Sequence, residues 1–173
     1  MSMRAGDGCD RPPLATGDDT VESVAPLFCA SVRETMLSRL HAEKLALCDL
    51  LEAIADSLPQ ALNREQCLAA SGKLEPLLRE VHAYEEGVLF PAYIRAQGNA
   101  QPSVELVARL KAEHIEDADF AAELAEGLRR IGQGLDVLNV DALSYMLRGF
   151  FAALRRHIAN EREAMAPLFG AKG

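Results

Sequence analysis

The sequence lacks tryptophan altogether, and aromatic residues make up only 5% of its 173 positions. β-Branched residues are sparse, and no segment alternates strictly between apolar and polar, so neither a β-sandwich nor a βαβ alternation is expected. Basic residues are scattered along the expected helix faces, and the formal net charge is -8. That balance argues against nucleic-acid binding, because phosphate contacts need grouped Lys and Arg. No run of eighteen apolar residues exists, so no membrane span is expected. The first twenty residues have no apolar core segment and do not read as a signal peptide. The four cysteines, Cys9, Cys29, Cys48 and Cys67, form no CxxC pair, and a disulfide framework is not expected at this length and density. These absences together lead to the expectation of a cytoplasmic protein with reduced thiols. Cys48 reads as a small buried hydrophobe, and Cys9 as an exposed thiol in a polar tail.

What the chain does have is Ala, Leu, Glu and Arg in abundance, all good helix formers. Its length fits one domain with a real core. Residues 1–20 are rich in Gly, Asp, Pro, Ser and Thr and read as a flexible tail. Residues 21–173 then form one domain of four helical blocks. The first runs from about Pro26 to Ser57. The second runs from about Arg64 to Gln97, with interruptions expected at Ser71-Gly72 and Pro76 and with Gly98-Asn99 closing it. The third starts at Ser103, a plausible N-cap, and ends near Arg130; the fourth starts at Asp141, a second plausible cap, and reaches about Phe169. Short connections favour antiparallel neighbours. The expected fold is therefore all-α, an antiparallel up-down-up-down four-helix bundle.

Each block carries a core seam at alternating spacings of three and four. The seams are Leu37, His41, Lys44, Cys48, Leu51, Ala55, Leu58; Leu74, Leu78, Val81, Glu85, Val88; Val107, Leu110, His114, Asp117, Ala121, Leu124, Leu128; and Leu143, Leu147, Phe150, Leu154, His157, Glu161, Ala164, Leu168. The chain has four histidines, His41, His82, His114 and His157, one per block, and three of them sit directly on a seam. Glu161 follows His157 by four residues, so both project from one helix face. Glu85 is on the second seam, and Glu86 follows His82 by four. A buried glutamate is costly unless neutralised. Two divalent metals sharing bridging carboxylates would neutralise these, and an imidazole-carboxylate set suits iron, zinc or manganese. Lys44 reads as a side chain snorkelling to the bundle surface. Tyr84, Tyr93 and Tyr145 read as packing residues, and Glu43, Glu113 and Glu116 as solvated face charges.

The segment His82-Ala-Tyr-Glu-Glu-Gly-Val-Leu-Phe-Pro91 resembles the signature of the hemerythrin-like, HHE cation-binding family, in which His and Glu precede Leu-Phe-Pro. His157-Ile-Ala-Asn-Glu161 resembles its second copy, Glu113-His114 the Glu-His of the third helix, and His41 the lone His of the first. The resemblance covers about residues 35–169. It implies metal ligands among His41, His82, Glu85, Glu86, His114, His157 and Glu161. The register departs in the second helix. Counting back from Leu89 gives Glu85 as the ligand and Val81 where a histidine is expected, so His82 is displaced by about 100° around the helix. Either a local bulge turns His82 inward beside Glu85 or Glu86, or the helix stays regular, with Glu85 inward and His82 at the seam's edge. The regular helix is the expectation, with His82 the weakest ligand. Ala118 stands where the family's oxygen carriers have a further histidine.

The resemblance implies a non-haem, di-iron protein, more a binder than an enzyme, that takes oxygen or a related diatomic ligand such as nitric oxide for sensing, storage or stress response. The alternatives are an iron-centre repair or nitric-oxide stress protein of the same family, and a degenerate metal-free helical interaction module.

Overall fold

The computed structural model describes residues 21–135 and 139–169, with side chains from residue 31 onward. The tail at residues 1–20, including Cys9, lies outside these residues. Among the described residues every regular element is helical. Helix α1 spans Val21–Ser57, α2 Arg64–Tyr84, α3 Phe90–Ala96, α4 Gln101–Gly132 and α5 Val140–Met165. A single π-helical turn, Glu85–Leu89, joins α2 to α3 without a break, so these two form one rod and the rods number four. A 3₁₀ turn, Ala166–Phe169, ends the described chain. No helix of the described residues is long and apolar enough to cross a membrane.

The termini follow from local chemistry, though not always at the expected residues. Asn63 caps α2 by accepting from the Gln66 N–H at 3.1 Å. Asn139, not Asp141, caps α5, accepting from the Ala142 N–H at 2.9 Å. Helix α4 starts at Gln101, and its N-cap is Ala100, with no side-chain acceptor. Ser103 is buried inside the first turn and does not act as the cap. Gly98 and Asn99 both have positive φ, 64° and 57°, and they close the second rod as their left-handed preference allows. Helix α2 runs unbroken through Ser71, Gly72 and Pro76, so the expected interruption falls later, at Glu85–Leu89.

That π turn corrects one seam residue. The Phe90 N–H bonds to the Glu85 carbonyl five residues back, and the extra residue moves the inward face along by one position. Val88 is 42% exposed and Leu89 is fully buried, so Leu89 replaces Val88 in the core. The turn also precedes Pro91, whose missing N–H would leave a gap in a regular ladder in any case.

The core has two apolar clusters. The larger contains Leu47, Leu51, Leu74, Leu78, Val81, Leu124, Leu128, Phe150 and Leu154. The smaller contains Leu37, Leu89, Phe90, Val107, Leu110 and Met165. Along each rod the charged seam residues fall between these clusters, so apolar layers enclose a polar one. Helices α2 and α4 approach closely, since a Cβ on Gly132 would meet Leu68 Cγ at 2.5 Å. Tyr145, read as a packing residue, lies outside the core; it is 78% exposed.

Candidate metal centre

Four rods deliver the polar layer. From α1 come His41 and Lys44, three residues apart and therefore on one face. The rod of α2 and the π turn gives His82, Glu85 and Glu86. Helix α4 gives Glu113, His114 and Asp117, and α5 gives His157 and Glu161. His41, Lys44, Glu85, His114, His157 and Glu161 are all buried, and Lys44, Glu85 and Glu161 have no exposed surface.

Glu85 lies at the centre. Lys44 Nζ donates to its Oε1 at 2.9 Å and to Glu161 Oε2 at 3.5 Å. Lys44 thus does not snorkel to the surface. Two buried carboxylates hold its ammonium inside, because such charges are tolerated only when paired. His41 Nε2 donates to Glu161 Oε2 at 3.0 Å and stands 3.8 Å from Glu85 Oε1.

On the other side of Glu85 the contacts change character. His114 Nδ1 donates to Glu86 Oε1 at 2.8 Å, which leaves the Nε2 lone pair facing Glu85 Oε2 at 3.1 Å. Two acceptors at that distance require a proton or a cation between them. Glu86 in turn lies 3.5 Å from Lys111 Nζ. A carboxylate that fixes the outer nitrogen of an imidazole is the usual support of a metal-ligating histidine. His82 stacks on His114, with ring centroids 3.9 Å apart and planes 6° from parallel. The His157 ring lies 5.2 Å from that of His114. His157 Nδ1 stands 3.0 Å from Glu113 Oε2 and 3.8 Å from Asp117 Oδ2.

Several buried ligand atoms have no hydrogen-bond partner among the described residues: His82 Nε2, His114 Nε2, His157 Nε2, Glu85 Oε2 and Glu161 Oε1. Buried polar atoms are rarely left so, and this set is one that a transition metal uses. Two trios have ligand atoms within 4.8 Å of one another, His82-Glu85-His114 and His41-Glu85-Glu161, and Glu85 belongs to both.

The electrostatics keep two of these imidazoles, His82 and His157, neutral and ready to coordinate. Burial, helped by the nearby His114, pushes His82 down to about 3. Burial, with the Lys44 ammonium and His114, pushes His157 down to about 4. Burial alone would also lower His114, but its contacts with Glu85 and Glu86 outweigh that and raise it. For Glu161, burial is outweighed by the hydrogen bond from His41 and by the Lys44 charge, so its carboxyl is held below the usual range. Asp117 is raised by burial to about 6.

The expected residues thus meet, with three refinements. The helix stays regular through His82 to Tyr84, with Val81 and Glu85 inward, and becomes irregular only in the π turn that Glu85 heads. His82 is half-buried beside the fully buried Val81, at the seam's edge as expected, and from there its ring stacks on that of His114. Glu86 does not compete with Glu85 but supports His114. The residues that pattern reading missed are Lys44, Glu113 and Asp117. The available signal for Lys44 was that two seam glutamates demand a cation.

Fold and site together define a helical bundle with a buried histidine-glutamate centre able to hold a metal ion. The model of the hemerythrin HHE cation binding domain matches residues 34–169, and the chain belongs to that family. Comparison with curated proteins and with solved structures gives no significant match.

Proposed function

We propose that this protein is a non-haem iron protein that binds a small diatomic ligand, oxygen or nitric oxide, rather than an enzyme with an organic substrate. The observation that carries the reading is the group of unpartnered ligand atoms on half-buried His82 and buried Glu85 and His114, between the apolar layers of the core. A metal bound there supplies Lewis acidity and open coordination positions for the diatomic. The chain's own residues do the rest. Glu86 orients His114, Phe90 shields it with ring centroids 5.5 Å apart, and the surrounding leucines limit water. Glu75, Leu78, His82, Ala118 and Ala121 line a surface groove that reaches the edge of the centre. The short Ala118 side chain leaves that approach to His82 open, which favours binding of an exogenous ligand over a saturated site.

The up-down-up-down helix order fits the contacts between α1 and α5. Ser144 bonds to Ala55, Arg155 to Asp49, and Glu161 to His41, in opposite sequence sense. The free buried thiols of Cys48 and Cys67 suit a reducing compartment, which supports placement in the cytoplasm.

The test is metal content and visible absorption of protein purified from iron-supplemented cells, followed by addition of nitric oxide to the reduced form. Iron at a fixed stoichiometry, with a spectrum that changes on ligand addition, supports the reading. Protein that binds no iron, zinc or manganese would establish the competing reading, a metal-free interaction bundle. The pairing of Lys44 with both buried glutamates is the observation that favours that competitor.

A further inference from the structure

We infer that the centre holds one metal ion, and that the Lys44 ammonium takes the place a second ion would occupy. This rests on the metal-binding reading above and adds its nuclearity.

The argument begins with which atoms are satisfied. The trio His41, Glu85 and Glu161 is already closed around a cation. Lys44 Nζ reaches Glu85 Oε1 at 2.9 Å and Glu161 Oε2 at 3.5 Å, and His41 donates its Nε2–H to the same Glu161 oxygen at 3.0 Å. That nitrogen is thus already engaged by the carboxylate. The bare atoms are the opposite oxygens of the same two carboxylates, Glu85 Oε2 and Glu161 Oε1, with the Nε2 atoms of His82, His114 and His157. Satisfied and unsatisfied atoms thus divide Glu85 between an ammonium on one side and a set of unpartnered imidazole nitrogens on the other.

Charge gives the same division. The wholly buried negative groups are Glu85 and Glu161. Lys44 with one divalent ion sets three positive charges against these two. Lys44 with two divalent ions would set five positive charges in one layer, where only two of the described carboxylates are wholly buried and Glu86, Glu113 and Asp117 face the histidines from the half-buried edge. Retreat of the lysine to solvent is closed off, because its side chain has no exposed surface. His41 lies one helical turn away on the same face, so helix geometry itself aims Lys44 at the carboxylates.

The test is metal stoichiometry on the full chain. Wild type and Lys44→Met are loaded anaerobically with iron(II), and separately with cobalt(II), then freed of loose metal and assayed by elemental analysis. Wild type is expected to saturate at one ion per chain, and electron paramagnetic resonance of the oxidised iron protein should show all the iron as uncoupled high-spin ferric. Lys44→Met is expected to take up two, since His41, Glu85 and Glu161 are then free to hold the second. Two ions per wild-type chain, or a spin-coupled and silent ferric pair, would overturn the inference while leaving the metal-binding reading intact. A folded Lys44→Met that still stops at one ion would also overturn it. No metal in wild type would overturn the metal-binding reading and this inference with it. If Lys44→Met does not fold, Lys44→Gln, which keeps a neutral donor for Glu85, replaces it, and the wild-type stoichiometry and magnetism decide independently.

Discussion

Lys44 and Glu85 meet at 2.9 Å with neither side chain exposed to solvent. Removing Glu85 leaves the buried ammonium only the longer contact with Glu161, at 3.5 Å, and breaking a buried pair in this way costs up to about 3–5 kcal/mol. Glu85→Ala is therefore expected to lose that much stability in chemical denaturation and to lose its metal as well. Lys44→Ala/Glu85→Ala removes both charges and is expected to recover part of the stability but none of the metal. A Glu85→Ala protein of wild-type stability would contradict the pairing.

Glu86 touches the centre only through His114 Nδ1, at 2.8 Å. Glu86→Gln keeps the shape and one acceptor but removes the charge. The expected result is metal affinity weakened by about 10–100-fold, with helix content unchanged. Competition against a chelator of known affinity measures it, and equal retention in variant and wild type would show that Glu86 is a bystander.

Acid should loosen the metal-free protein. His82 and His157 are pushed down to about 3 and about 4, so below the ordinary histidine range near 6.5 the unfolded chain binds protons that the folded chain refuses. Stability then falls as pH drops from about 6.5 toward 4. Asp117, raised to about 6, opposes this in part, because the folded state holds its proton while the unfolded state has released it. His114, raised by Glu85 and Glu86, opposes it too, and the two strongly lowered histidines outweigh both. His82→Phe/His157→Phe, followed by urea unfolding between pH 4 and pH 6.5, should flatten or invert the slope. An unchanged slope would show that these imidazoles are not held neutral by the fold.

The π turn can be tested by shortening it. Val88 is 42% exposed, so its deletion removes little packing. Closing the turn to ordinary α-helix shifts everything before it by about 100° relative to Leu89 and Phe90. Circular dichroism is expected to show helix content retained, while metal binding is lost as Glu85 turns off the centre. Retained metal binding would mean that the turn plays no part in aiming Glu85.

The seams were legible because spacings of three and four leave little freedom over which helix face turns inward, and His41, His114, His157 and Glu161 all lie where that pattern puts them. The second rod was harder. Val88 and Leu89 are both apolar, and nothing in their identity says that a π turn moves the inward face from one to the other. Lys44 was misread for a different reason. A lysine's long stem ordinarily carries its charge to water, and its partner Glu85 lies 41 positions away, so only the folded chain brings the pair together. The caps failed more mildly. Ser103 and Asp141 have the right chemistry, but Asn139 lies two residues before Asp141 and caps first, and α4 starts at Gln101 behind Ala100, which offers no side-chain cap.

His41 and Glu161 are separated by 120 positions in sequence and by 3.0 Å in space. A contact that closes so long a loop forms late, after the local helices. The centre therefore ties the first helix to the last. Any local opening that lets α5 detach removes His157 and Glu161 together, and with them the hold on a bound ion. Amide exchange along α5 would then report occupancy of the centre directly, slowing when the metal is present and quickening when a chelator takes it away.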